Sequence, residues 1–110
     1  MITRAASLST FELPVAQLQQ RVRNLAANEN VVIATTLLPE LVEHEVSDIQ
    51  IVQMLKRAVI TGEVQPSKGA GGWICSIMDR RKWQREIGSV LVEISLGRLW
   101  ILKIEWENVT

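Results

Sequence analysis

The chain has 110 residues with a single cysteine, a single histidine, one phenylalanine, no tyrosine and three prolines. One thiol cannot close an intrachain disulfide, which excludes a disulfide-stapled secreted scaffold and points to a reducing cytoplasm. One His and one Cys are too few for a four-ligand His/Cys metal site, and no cofactor is expected. No segment approaches the roughly 18 consecutive apolar residues of a membrane span. The first residues carry one charge, Arg4, but no apolar h-region, because Ser7, Ser9, Thr10 and Glu12 interrupt. Residues 1–10 therefore read as a short frayed arm of a single domain covering 1–110. Phosphate-loop and dinucleotide fingerprints are also missing, since Gly69, Gly71 and Gly72 follow no strand and open no helix.

Net charge is absent as well: 12 Lys and Arg balance 12 Asp and Glu. That excludes a protein whose whole surface binds nucleic acid but leaves room for a basic patch. The balance is uneven along the chain. Residues 1–55 hold three bases against six acids, and residues 56–110 hold nine against six, so the halves carry −3 and +3.

Two helices are expected in the first half. Val15, Leu18, Val22 and Leu25, with Ala16 and Ala26 beside them, make one apolar stripe, and Gln17, Gln19, Gln20, Arg21, Arg23 and Asn24 make the polar side. Pro14 suits the first turn and the cluster Asn28, Glu29, Asn30 ends the run. The stripe packs on a sheet or forms a dimer seam. The short β-branched run 31–36 reads as an interior strand stopped by Pro39, with one helical turn over 40–44. Ser47 and Gln50 then have capping-box spacing, Asp48 complements the helix dipole, and Ile51, Met54, Leu55 and Ala58 form the buried stripe of a helix stopped by Gly62.

The second half reads as sheet. Residues 66–72 are a glycine-rich connector from helix to sheet, or a mobile covering loop. Strands are expected over 73–78, 87–94 and 99–106, with a tight hairpin at Leu96, Gly97 and Arg98 joining the last two. Alternation puts Val90, Val92 and Ile94 on one face, and Trp100, Leu102, Ile104 and Trp106 together on the core face of the last strand. Trp73 reads as half buried. The expected architecture is α+β: an antiparallel sheet of three or four strands with two helices packed on one face.

Three groups of residues could carry function. Arg80, Arg81, Lys82 and Arg85 surround Trp83 between two strands, a pattern that could bind phosphates and stack a base; the bland alternative is a solvated turn with Trp83 folded back on the sheet. Glu40, Glu43, Glu45 and Asp48 form an acidic run that could meet a basic partner or a divalent cation, or be a solvated face. His44, between Glu43 and Glu45, reads as part of a solvated polar turn. Cys75 lies in a strand between Trp73 and Ile77, where a buried inert thiol is expected rather than a nucleophile.

The succession Phe11-Glu12-Leu13-Pro14, Asn30-Val31-Val32-Ile33, Val46-Ser47-Asp48, Gly62-Glu63-Val64, Gly72-Trp73-Ile74-Cys75 and Leu99-Trp100-Ile101-Leu102 resembles the uncharacterised family catalogued as domain of unknown function 4258, over about residues 10–106. That resemblance implies a relation to small ribonuclease toxins of the RelE type, with a basic His/Arg motif before the capped helix. Here Thr35 and Thr36 stand at the Arg-His pair, Leu38 and Glu40 at the next two Arg positions and His44 at the last, so almost all of that motif is lost. Glutamates in place of positive charge repel a phosphate backbone. The expectation is a non-catalytic binding module, as a homodimer or with a protein partner, of the kind found in mobile gene cassettes. The competing expectation is a diverged RNA-binding or ribonuclease domain that uses the basic segment. Self-association is expected from apolar content and an open sheet edge.

Overall fold

The computed structural model describes residues 15–67, 72–79 and 87–107. Helix α1 (Val15–Ala27) buries Leu18, Val22 and Ala26, one residue per turn, and Leu25 packs beside them. Val15, expected in the stripe, is 48% exposed. The helix ends in a Schellman motif: Asn30 N–H donates to Leu25 O at 2.9 Å and Glu29 N–H to Ala26 O at 3.0 Å, with Glu29 left-handed at φ 60°.

Strand β1 (Val31–Ile33) follows, then a 3₁₀ turn (Thr35–Leu37) and helix α2 (Leu38–Glu43). The expected interior strand over 31–36 is thus three residues long and lies at a sheet edge. Pro39 is the cause: it sits in the first turn of α2, where its fixed φ suits a helix, and Thr35 to Leu37 wind into it. A second Schellman motif closes α2, with Val46 N–H on Leu41 O at 2.9 Å and Glu45 at φ 56°. Leu41 and Val46, the apolar pair such a motif brings together, are both buried.

Helix α3 (Asp48–Leu55) starts at the expected capping box, in which Gln50 N–H donates to Ser47 Oγ at 3.2 Å and Ser47 N–H to Gln50 Oε1 at 2.8 Å. Ile51, Met54 and Leu55 are buried. The helix stops there, earlier than Gly62. Ala58 is buried, but in strand β2 (Ala58–Pro66), which replaces the expected end of the helix. Val59, Ile60 and Thr61 are β-branched and favour a strand. Gly62, at φ 74°, sits in a bulge of that strand, between Thr61 paired with Ser76 and Gln65 paired with Ile74. The 66–72 connector therefore joins two strands, and Ser67 N–H closes it on Gly72 O at 2.9 Å.

Strands β3 (Trp73–Asp79), β4 (Ile87–Ser95) and β5 (Arg98–Trp106) complete a five-stranded sheet of order β1-β5-β4-β3-β2. The sheet is mixed: β1 runs parallel to β5 and the other pairs are antiparallel. The α+β class holds, but the described residues form five strands rather than three or four, three helices rather than two, and a mixed rather than antiparallel sheet. Core residues come from all three helices and from one face of the sheet, including Cys75, Ile77, Val90, Val92, Ile94, Leu99, Ile101 and Ile104. Among the described residues no helix is long and apolar enough to cross a membrane.

The last strand departs from simple alternation. Val92 pairs with Ile101 but Leu91 pairs with Lys103, so Leu102 is an extra residue in β5. The bulge shifts the phase, and the core face reads Leu99, Ile101, Ile104 and, partly buried, Trp106. Trp100 and Leu102, expected in the core, are on the opposite face; Trp100 is half buried and Leu102 exposed. Trp73 is half buried, as expected.

The edge of β2 is capped at its start. Gln19 Oε1 accepts from Ile60 N–H at 2.9 Å and Arg23 Nε donates to Ala58 O at 2.9 Å. Side chains of α1 thus take the backbone groups that a further strand would use.

Candidate functional site

The acidic run is divided by its local structure. Glu40 on α2 and His44 at its C-cap, one turn apart, face Trp106 at the end of β5. The Trp106 indole N–H donates to Glu40 Oε1 at 2.8 Å, and the His44 and Trp106 rings stack with centroids 3.8 Å apart and planes 9° from parallel. His44 is therefore half buried against an aromatic ring, not part of a solvated turn. Glu43 and Glu45 are exposed. Asp48 is also exposed, accepts from Ile49 N–H at 2.8 Å, and lines an open cleft of about 470 Å³ together with Glu29, Lys56 and the aliphatic Val31, Ile49 and Val52. The charges around that cleft are mixed and mostly exposed, with no convergent buried polar group of the kind that fixes a small ligand. Among the described residues no group of three or more His, Cys, Asp or Glu is placed to hold a metal ion.

The basic candidates Arg80, Arg81, Lys82, Trp83 and Arg85 lie outside the described residues. Their flanks are placed: Asp79 ends β3, and Ile87 opens β4 opposite Trp106. Ile87 thus lies at the end of the sheet where Trp106 meets Glu40 and His44. Cys75 is buried, 1% exposed, and burial pushes its thiol from an ordinary value near 9 up to about 11. A thiol held neutral in this way is a poor nucleophile.

A different surface stands out. All three helices contribute to the core on one face of the sheet, and the strand registers collect the remaining side chains on the other. Across that face Val32 neighbours Trp100, Trp100 lies opposite Glu93, and Glu93 opposite Ile74. In the next row Lys103 lies opposite Leu91 and Leu91 opposite Ser76, with the bulged Leu102 beside them. Val59 and Met78 pair at the far corner. Met78 and Leu102 are each 41% exposed. Val32, Ile74, Leu91 and Trp100 are half buried. The Trp100 indole N–H is satisfied by Ser95 O at 3.0 Å, so its ring can be covered without stranding a donor.

None of Val32, Ile74, Leu91, Glu93, Trp100, Leu102 and Lys103 was a sequence candidate. The bulge at Leu102 hid the face, because simple alternation assigns Trp100 and Leu102 to the core. Comparison with protein-family models, with curated proteins and with solved structures finds no match.

Proposed function

We propose that the chain is a small, non-catalytic interaction module of the cytoplasm whose working surface is the bare face of its sheet, the one that no helix covers among the described residues. The observation that supports this most is that, among the described residues, helices cover only one face of the sheet. Helices bury one face, and the other gathers Val32, Ile74, Leu91, Trp100 and Leu102 around a single half-buried carboxylate, Glu93. Contiguous apolar surface centred on a tryptophan is the composition of an interface core, whereas scattered apolar side chains are ordinary. An antiparallel sheet with a purely solvated face would carry a cleaner polar alternation there.

The resemblance to the family of domain of unknown function 4258 belongs to the same reading, as a member whose basic motif has been replaced. Glu40, at one of the motif's Arg positions, is engaged by Trp106, and His44, at its last position, is stacked on the same ring. Those two residues act as structural ties of α2. The competing function, a diverged RNA-acting domain, would rest on Arg80, Arg81, Lys82, Trp83 and Arg85. Incubating the purified chain with end-labelled RNA separates the two. Intact RNA is the expected result. Cleavage that disappears when Arg80, Arg81 and Arg85 are replaced by Ala would overturn the interaction-module reading.

A further inference from the structure

The bare face carries a pattern complementary to itself. Strands β4 and β5 are paired so that Leu91 faces Lys103 and Glu93 faces Trp100. These four side chains are the corners of one cell of the sheet. Leu91 and Trp100 occupy one diagonal, and Glu93 and Lys103 the other. Consider a two-fold axis lying between two such faces along the Leu91–Trp100 diagonal. It sets the apolar pair against its own counterpart and brings Glu93 of each copy over Lys103 of the other. We infer that the occupant of the bare face is a second copy of this chain, seated on that diagonal. The inference rests on the face being the working surface, as proposed above.

Charge favours this occupant over an unrelated apolar one. Glu93 is half buried, and among the described residues its carboxylate accepts one side-chain hydrogen bond, from Ser95 Oγ at 3.3 Å. Covering it with apolar surface would strand a carboxylate, which is costly, whereas a second copy delivers an ammonium group. Lys103 is available for exchange. Its partner Glu105 is 3.0 Å away, but the two side chains are 64% and 57% exposed, and such pairs are weakly held. Area is sufficient as well. Four inter-strand spacings of about 4.8 Å by strands of up to about 25 Å make a footprint of roughly 500 Å² per copy, or about 1,000 Å² in all, the threshold for a specific interface. Of the sheet's two edges, β1 offers only three residues, and at the start of β2 Gln19 and Arg23 take Ile60 N–H and Ala58 O.

The test is light scattering on the full chain and on charge variants of the face. At about 100 μM the wild type is expected at twice its 12.4 kDa. Glu93→Lys alone and Lys103→Glu alone each set like charges together and are expected to weaken self-association at least tenfold. An equimolar mixture of the two variants restores the doubled mass, because every cross-axis contact again joins opposite signs; so does the double variant. Neither side chain enters the core, and thermal melts by circular dichroism identify any variant that fails to fold. A wild type that stays at 12.4 kDa to about 1 mM overturns the inference. So does a folded single variant as dimeric as the wild type, or a mixture that stays monomeric. A monomer that leaves RNA intact overturns the second-copy occupant alone, whereas RNA cleavage lost with the arginines overturns the interaction-module reading itself.

Discussion

The indole N–H of Trp106 donates to Glu40 Oε1 at 2.8 Å while the same indole stacks on His44, 3.8 Å between centroids. One aromatic side chain at the end of β5 thus fixes Glu40 on α2, a helix of only six residues, and His44 at its C-cap. A helix that short has little stability of its own, and tertiary contacts must hold it. The Glu40–Trp106 bond is expected to contribute about 1 kcal/mol. In a double-mutant cycle with Glu40→Ala and Trp106→Phe, the latter keeping a ring to stack, urea unfolding should return a coupling energy of about 0.5–1 kcal/mol. Strict additivity would contradict the bond.

Among the described residues, three other than glycine adopt left-handed backbone: Glu29, Glu45 and Leu96. Leu96 and Gly97, both at positive φ, form the two-residue turn between β4 and β5, and such turns favour Asn-Gly. Leu96→Asn should raise stability by about 0.5–1 kcal/mol and remove an apolar side chain that is 75% exposed. Glu45→Gly, at the Schellman position after α2, should gain a similar amount. Denaturant midpoints check both, and a lowered midpoint for Leu96→Asn would contradict the turn geometry.

Much of this architecture can be read before any coordinates, and the reasons for the failures are local. Ser47 and Gln50 mark the start of α3 because a capping box acts over three residues. Leu18, Val22 and Ala26 show themselves by period. Strand β2 was hidden because Gly62 looks like a helix terminator, whereas its positive φ serves a bulge. Trp100 was assigned to the wrong face because one extra residue, Leu102, reverses the alternation, and no composition rule announces a bulge. Glu40 and Trp106 meet across 66 positions, which periodicity cannot reveal. The composition of the sheet face opposite the core depends on both bulge and register.

Cys75 gives a pH signature. Its thiol is raised from near 9 to about 11 by burial, so between those values the folded state keeps a proton that the unfolded state has lost. Stability from this group is complete below pH 9 and falls by about 1.4 kcal/mol per unit from there to about pH 11. Cys75→Ala should flatten that part of the stability profile, whatever its effect at neutral pH. Native protein should also resist iodoacetamide at pH 8 until it is unfolded, and rapid native labelling would contradict the burial.

Gln19 and Arg23 should be measurable as guards of the β2 edge. Replacing Gln19 by Ala removes the acceptor for Ile60 N–H and should cost about 1 kcal/mol. Amide hydrogen exchange should report the loss first at Ile60, with little change at Val92 in the centre of the sheet. Unchanged exchange at Ile60 would mean that the plug does not hold in solution.

On the proposal above, the face around Trp100 is where this chain meets a second copy of itself. Sedimentation velocity of the wild type and Trp100→Ala at matched concentrations, about 10 to 200 μM, decides it. A tryptophan on the axis of a two-fold interface is the side chain whose truncation costs most. The wild type should sediment at twice its 12.4 kDa and Trp100→Ala as a folded monomer. Equal masses for the two, single or doubled, would contradict it.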